Sequence, residues 1–323
     1  FDSGLRLRQG VRYEEQKGIG RFIALQGAPR EGQRLQNRSA SLQDIDYNIL
    51  ATDSSLQMDL ATGALTHRLV AGLDARTGKS DQANTSCRVS PLDLFNPRYG
   101  DPITCPTTPT THAPSRLTVW GLYLQDQIKL GENWTALLGL RHDRSRDRID
   151  DRIALEKTTT RDSATTGAAG LVYQFVPGWA VYGSFSNSFL PVSGQTFGGS
   201  PFEPETGKQW EGGLKYERPG GGLTASLALF DLKRQNVSTA DPDNTGYSIQ
   251  VGEQRSRGIE VEAGVDLGAG FKLVGGYAYT DAEVTRDTNP ALIGRVLNLT
   301  PRHVLSLLST WRPAVLPDLT VGL

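Results

Sequence analysis

Gly258-Ile259-Glu260-Val261-Glu262-Ala263-Gly264-Val265-Asp266-Leu267 changes character at every step. Ile259, Val261, Ala263, Val265 and Leu267 fall on one side of a pleated chain, and Gly258, Glu260, Glu262, Gly264 and Asp266 on the other. Period two marks a strand with one apolar and one wet face, whereas a helix needs apolar residues three and four apart. Around Gln209 the same split sets Trp210, Gly212, Leu214 and Tyr216 against Gln209, Glu211, Gly213 and Lys215. At the start, Leu5, Leu7, Val11 and Tyr13 oppose Arg6, Arg8 and Arg12. Trp134–Asp143, Gly167–Phe175 and Trp179–Ser188 repeat it. No stretch carries convincing amphipathic-helix spacing, so the chain is expected to be all-β.

The connections have a rhythm. Short ones are expected at Ala61–Ala64, Leu130–Asn133, Val176–Gly178, Arg218–Gly222, Gly268–Gly270 and Arg312–Asp318. Long ones are expected between them, at Glu14–Gln33, Thr77–Ser115, Asp147–Ser163, Pro191–Glu205, Asn236–Gly246 and Val284–Thr300. Strict alternation implies about 13 antiparallel strands with tight turns at one end and long loops at the other, as in a transmembrane β-barrel of the outer-membrane type. A soluble sandwich would mix turn lengths at both ends.

Aromatic placement and composition agree. Trp134, Phe175, Trp179, Tyr216, Phe271 and Trp311 each lie within two residues of a short turn, where rings would form a girdle at the membrane interface. The longest stretch free of Asp, Glu, Lys and Arg, Ser163–Phe202, is 40 residues of Ser, Thr, Gly and Asn broken by Pro177 and Pro191. It does not read as a transmembrane helix. Backbone in lipid must pair internally, which strands achieve only in a closed barrel. The opposite face would be a wet lumen carrying Glu211, Lys215, Glu260 and Glu262. With 34 Lys and Arg against 35 Asp and Glu, net charge −1, the electrostatic case for a nucleic-acid partner is gone. Two cysteines and four scattered histidines supply no metal centre.

Several motifs resemble one family. Gly207-Lys208-Gln209-Trp210-Glu211-Gly212-Gly213-Leu214-Lys215-Tyr216 resembles the K-Q-x-E-x-G-x-K-Y strand of TonB-dependent ferric-siderophore receptors. Gly252-Glu253-Gln254-Arg255-Ser256-Arg257-Gly258-Ile259-Glu260-Val261-Glu262 is similar to their G-E-x-R-S-R-G-I-E-x-E. Gly276–Ala282 and Thr300-Pro301-Arg302-His303 follow in the family's order. Upstream, Tyr123-Leu124-Gln125-Asp126-Gln127 and Gly139-Leu140-Arg141-His142-Asp143 resemble its Y-x-Q-D-Q and G-x-R-x-D pair. Leu94-Phe95-Asn96-Pro97-Arg98-Tyr99-Gly100, between Cys87 and Cys105, is similar to the F-N-P-x-Y-G segment of the ferrichrome and hydroxamate branch.

The resemblance implies a barrel of about 22 strands with an N-terminal plug and a TonB-engaging box. Nothing here resembles plug or box, so residues 1–323 are expected to be the middle of the barrel, about strands 5 to 17, from a longer chain. An odd number of strands, about 13, would not close a barrel of this type alone. The implied function is capture of a ferric siderophore at the extracellular mouth and import with TonB-supplied energy, iron entering only inside its chelate and no other cofactor being used. Implied partners are TonB, outer-membrane lipid and lipopolysaccharide, in the bacterial outer membrane. Hydroxamate chelates are compact and apolar outside, so the expected contacts are mouth aromatics: Tyr13 at the end of the first strand, Phe95 and Tyr99 on the cysteine loop, and Phe189, Phe197 and Phe202 beside Pro191. The plainer alternative is that these rings only pack loops together.

Cys87 and Cys105 are either two free thiols or a disulfide. Folding through an oxidising periplasm favours the bond, worth about 3 kcal/mol for such a loop. The charge-rich run Arg141–Arg152 is expected at a strand top entering a long loop, either solvated or against lipopolysaccharide. Arg255 and Arg257 share the parity of Ile259 but precede it, and are expected to form ion pairs at the rim. G-x-S-x-G, G-x-x-x-x-G-K and H-E-x-x-H are all absent, so no enzyme is expected. The rivals are a TonB-dependent receptor for a catecholate siderophore, haem, cobalamin or a glycan, and a passive porin of about 16 to 18 strands.

Overall fold

The computed structural model describes residues 4–27, 29–244, 247–316 and 318–323. Twelve strands of nine residues or more follow one another: β1 Arg6–Leu25, β2 Arg38–Thr62, β3 Leu65–Cys87, β4 Ser115–Leu130, β5 Trp134–Asp151, β6 Glu156–Val176, β7 Trp179–Leu190, β8 Glu205–Glu217, β9 Leu223–Ala240, β10 Ser248–Gly268, β11 Phe271–Arg286 and β12 His303–Trp311. A two-residue β13, Val321–Gly322, ends the series, and Thr111–His112 adds a short fourteenth strand against β3. Each strand pairs antiparallel with the next, leaving β1 and β13 as the two edges. Among the described residues the only helical element is a single 3₁₀ turn, Pro290–Leu292.

Register turns the alternation into two faces. Val261 pairs with Leu227 and Tyr277, Leu227 with Leu214, and Leu214 with Val181. One row below, Ser226 and Glu262 pair on the other side of the pleat. The apolar face has nothing over it: Leu122 is 52 %, Leu138 50 % and Leu140 59 % exposed. Buried hydrophobic side chains number four among the described residues, Ala40, Val119, Phe202 and Ala282. A sheet this size with almost no apolar core among the described residues and a largely apolar exterior is stable only where lipid supplies the missing cover.

Five of the six short turns lie where the sequence sets them, and the loop at residues 191–204 also fits; the sixth, expected at Arg312–Asp318, stops short of β13 at Val321 and includes residue 317, outside the described residues. Three long connections need correction. β1 continues through Glu14 to Leu25, β3 through Thr77 to Cys87, and β5 and β6 through Asp147–Ser163 to a turn at residues 152–155. The connections at Asn236–Gly246 and Val284–Thr300 also begin later, since β9 reaches Ala240 and β11 reaches Arg286. The cause is common to all. Beyond the lipid, water wets both faces, so a strand no longer needs apolar residues on one of them. The backbone ladder nevertheless runs on, from Glu14 opposite Ile49 to Leu25 opposite Arg38.

Candidate ligand-binding mouth

Two loops at the long-strand end are folded into a clasp. Residues 26–37 join β1 to β2, and residues 88–114 join β3 to β4. Leu35–Gln36 of the first pairs antiparallel with Leu92–Asp93 of the second. A Cys87–Cys105 disulfide closes the second loop at its base, beside a bridge between Arg88 and Thr104. Two acids fasten the clasp. Arg34 Nε donates to Asp93 at 2.9 Å, and the buried Arg38 guanidinium donates to Asp101 at 2.7 Å and to the Ser90 carbonyl at 2.7 Å. The hydrogen bond from Arg34 holds the Asp93 carboxyl below its usual range. The Ser90 hydroxyl, and then Arg38, do the same for Asp101. Gln36 is fully buried, and its amide donates to the Gln26 carbonyl at 2.7 Å.

This frame presents Phe95 and Tyr99 outward, 77 % and 78 % exposed. The turn beneath Phe95 is set by Asp93, whose Oδ1 accepts from the Phe95 and Asn96 amides at 3.0 and 3.2 Å. Phe197 is also exposed and meets Tyr247 edge-on at 5.0 Å between centroids. The loop carrying it is tied down by Gln250, which exchanges hydrogen bonds with the Glu203 backbone at 2.6 Å each way, and by Ser193 donating to Asp147.

The other three aromatics sit differently. Tyr13 does not end its strand; it lies mid-β1, paired with Leu50 on the apolar face. Phe189 pairs with Thr206 in the row series that contains Phe185–Trp210, also on that face. Phe202 is buried in its own loop, so close to Gly194 that a Cβ there would stand 2.7 Å from the ring. Phe95, Tyr99 and Phe197 therefore share exposure at the mouth; Tyr13, Phe189 and Phe202 do not.

The polar face below the mouth carries a network that the motifs contained but did not announce. Arg141 donates through Nε to both oxygens of Asp143, at 2.9 and 2.7 Å, and through Nη2 to Asp74 at 3.1 Å. Its guanidinium lies 5.9 Å from the Tyr123 ring centroid, and the Tyr123 hydroxyl donates to Asp53 at 3.1 Å. Two glycines make room. A Cβ at Gly72 would sit 2.2 Å from Tyr123 Cζ, and one at Gly121 2.2 Å from Arg141 Nη2. A second cluster sets Lys215 over the Tyr182 ring at 4.7 Å while the Tyr182 hydroxyl donates to Glu211 at 2.8 Å. Parity alone would have found the first: in Gly139-Leu140-Arg141-His142-Asp143 the arginine and aspartate share a face.

At the short-turn end, Trp134 stacks on Tyr173 at 4.3 Å, Trp179 packs on Tyr216 at 4.6 Å and Phe271 stacks on Trp311 at 5.3 Å. Phe175 lies exposed near the β6–β7 turn. At the opposite end Arg255 pairs with Asp231 and Arg257 with Asp281, as rim ion pairs. The histidines have separate partners, His67 with Asp126 and His112 with Asp81 at 2.7 Å each, His142 with Thr165 and His303 with Tyr277 at 2.9 Å each.

Comparison with known proteins adds the following. A family described as "TonB dependent receptor-like, beta-barrel" matches residues 1–323. The metal-pseudopaline receptor of Pseudomonas aeruginosa PAO1 is 34% identical over 85% of this chain and 40% of its own length. The ferrioxamine B receptor of Salmonella typhimurium LT2 and the ferrichrome outer membrane transporter/phage receptor of Escherichia coli K12 are each 32% identical over the whole chain, and over 45% and 46% of themselves. The chain thus spans less than half the length of these relatives. Among solved structures, FpvAI in its complex with pyocin S2 superposes with a TM-score of 0.82 at 21% identity, over 100% of this chain and 42% of that one.

Proposed function

Because this chain belongs to the TonB-dependent receptor β-barrel family, whose members lie in the bacterial outer membrane, we propose that it is the wall and part of the mouth of a receptor that captures a ferric siderophore, of the hydroxamate class, and imports it with energy supplied through TonB. The rest of the receptor, plug and TonB box included, would lie in sequence outside residues 1–323. One observation carries the cargo class. The stapled clasp presents Phe95 and Tyr99 as exposed rings on a fixed frame, in a segment resembling the hydroxamate branch. A loop whose backbone is already closed by the disulfide and the Asp93 turn loses less freedom on binding, so more of the contact area of its rings goes into affinity. Phe197 supplies a third exposed ring from the loop at residues 191–204. The relatives that bind ferrioxamine B and ferrichrome support the same class.

The barrel's work is binding and enclosure, not covalent chemistry. The aromatic pairs at the short turns seat the barrel at the membrane interface, and the Arg141 and Tyr182 clusters face the lumen, where a plug would rest. A second cargo has its own support: the 34% identity to a metal-pseudopaline receptor makes a metal–pseudopaline complex the competing ligand.

The deciding experiment is tryptophan quenching on the full-length receptor in detergent, titrated with ferric hydroxamates, ferric catecholates and metal–pseudopaline. Submicromolar quenching by hydroxamates alone is expected. Phe95→Ala and Tyr99→Ala should each weaken it roughly tenfold, about 1.4 kcal/mol. Quenching by metal–pseudopaline alone would transfer the assignment to that cargo, and silence towards every chelate would end the siderophore reading.

A further inference from the structure

Above the membrane band the strands rise to different heights, and every protruding edge presents backbone N–H and C=O groups that a neighbouring strand would pair. Height is read from the rungs that β5 shares with β4 and β6. Leu130–Trp134–Tyr173 lies at the short turns, followed by Ile128–Ala136–Leu171, Asp126–Leu138–Ala169, Leu124–Leu140–Gly167 and Leu122–His142–Thr165. The sixth rung is Trp120–Arg144–Ser163. Trp134 to Arg144 is ten residues, roughly 33 Å of strand and roughly 25 Å of height at the tilt usual in such barrels. That spans the apolar band, so the strands beyond Arg144 and Ser163 stand in water. The charge-rich run is therefore strand as far as Asp151.

Three protruding edges are covered by the chain itself. β3 outruns β4 beyond Ser80, and Thr111–His112 pairs with it at Asn84 and Ala83. β5 outruns β4 beyond Ile149, and its Asp150 and Arg152 amides donate to the Pro114 and His112 carbonyls at 2.9 Å each. β11 outruns β12 beyond Tyr279, where Thr280 donates to the Arg302 carbonyl at 2.9 Å and Val284 to the Arg295 carbonyl at 3.0 Å.

β6 is treated differently. β7 pairs with it only from Val176 up to Ala168, and the rest of β7 pairs with β8 alone. β6 runs on to Glu156 with β5 as its single neighbour. Where the two part, the Gly167 N–H donates to the Asn187 side chain at 2.7 Å. In an antiparallel ladder residues of one parity turn both backbone groups to the same neighbour. The other parity of β6 faces β5, as the Gln174 N–H does in donating to the Asn133 carbonyl. Thr165, Ser163, Arg161, Thr159 and Lys157 thus face the side that β7 has left, and among the described residues their backbone groups have no partner there. All five are exposed. The loop at residues 191–204 does not fill the gap: Ser193 donates to Asp147, on the lumenal face of β5, so the loop crosses inside the hairpin. On the outward face Arg161 lies opposite Arg146, and neither has an acidic partner among the described residues.

We propose that this edge is a strand-addition site for an extended acidic segment of another protein. Its main chain pairs with β6 along Lys157–Ser163, roughly 20 Å of edge, and acidic side chains at alternate positions meet Arg161 and Arg146. Main-chain pairing supplies the affinity, and the charge selects the partner. The site is independent of which cargo the mouth takes.

The test uses the full-length receptor in detergent and a fluorescent synthetic peptide of alternating threonine and glutamate. Anisotropy should show binding at roughly micromolar concentration. Thr159→Pro combined with Ser163→Pro removes two N–H groups that the ladder to β5 does not use, so the fold should survive and binding should fall roughly tenfold or more. Heat-modifiable gel migration checks that the variant is folded. Arg161→Gln should weaken binding about threefold, and a peptide of alternating threonine and lysine should not bind. Hydrogen exchange resolved to single residues reads the edge itself. In the receptor alone the Thr159, Arg161 and Ser163 amides should exchange fast and those of Thr158, Thr160 and Asp162 slowly, and the peptide should slow the first set. A wild type that ignores the peptide overturns the proposal, as does a folded double-proline variant that binds it equally well. Equal binding of a peptide N-methylated throughout would overturn main-chain pairing. Slow exchange at the edge amides before any peptide is added would mean that the chain covers this edge too, and would end the proposal.

Discussion

Ten residues up from Trp134 the apolar face carries Arg144; ten residues up from Phe271 it carries Asp281. The two positions stand at the same depth on one continuous sheet, yet their charge is handled in opposite ways. In β9–β11 every arginine at this level has an acid on the neighbouring strand: Arg257 meets Asp281 at 3.2 Å, and Arg255 meets Asp231. Arg302 adds a further contact to Asp281 at 3.8 Å. In β4–β6 the neighbours of Arg146 across the ladder are Thr118 and Arg161, and no acid is supplied. One rim is neutral by itself, and the other carries arginines with no acidic partner among the described residues. Neutral composition, 34 basic against 35 acidic residues, conceals this difference entirely.

The comparison assumes that the leucine rungs below both rims lie in hydrocarbon, and the largest predicted effect tests that. Leu138→Arg places a charge near mid-band and should cost about 2–4 kcal/mol of stability. The same residue added at the rim, Thr118→Arg, should cost under about 1 kcal/mol, because depth sets the penalty. Urea unfolding of the full-length receptor in lipid vesicles measures both. Equal costs would mean that the two positions share one environment and that the band is misplaced.

A smaller effect separates the rims directly. Asp281→Ala strips the partner from Arg257, and a partly exposed pair of this kind is worth about 0.5 kcal/mol. Arg146→Ala should do the reverse in detergent free of glycolipid, leaving stability unchanged or raised, because it removes repulsion from Arg148 and Arg161. If Arg146→Ala destabilises the lipid-free protein as Asp281→Ala does, the contrast between the rims fails.

Much of this was legible in the sequence, and the boundary of legibility is itself physical. Within the band, lipid on one face and water on the other impose strict alternation, so strands such as Gly258–Leu267 declare themselves. The rim pairs of Arg255 and Arg257 followed from parity and distance from Ile259. Above the band both faces are wet, and the extensions Glu14–Leu25 and Thr77–Cys87 lose the apolar rhythm while keeping their backbone ladder. That is why Tyr13 read as a strand end, and why Arg141–Arg152 read as a loop approach instead of two charged faces. Long-range closure was harder still. Nothing local to Leu92–Asp93 indicates that Leu35–Gln36 will pair with it, or that Phe202 will be consumed by packing on Gly194. Exposure of Phe95 and Tyr99 is a consequence of that same closure.

Acid distinguishes charge held in pairs from unpaired charge without any substitution, and its effect is the smallest expected. The clasp resembles the β9–β11 rim in being fastened by carboxylates: Asp93 accepts from Arg34 and Asp101 from Ser90 and Arg38, both held below the usual carboxyl range. A carboxyl whose pKa is lower folded than unfolded contributes fully above its unfolded value, near about 3.9, and loses that contribution as the pH falls through the folded value. Protection of the Leu94 and Phe95 amides, which donate to the Arg34 carbonyl and to Asp93 Oδ1, should therefore hold at about pH 5 and fall only as the pH is taken below about 3.9. Hydrogen exchange, expressed as protection factors, reads the clasp. Protection that stays unchanged far below that value would mean that the clasp is fastened by something other than Asp93 and Asp101, and that its likeness to the β9–β11 rim fails.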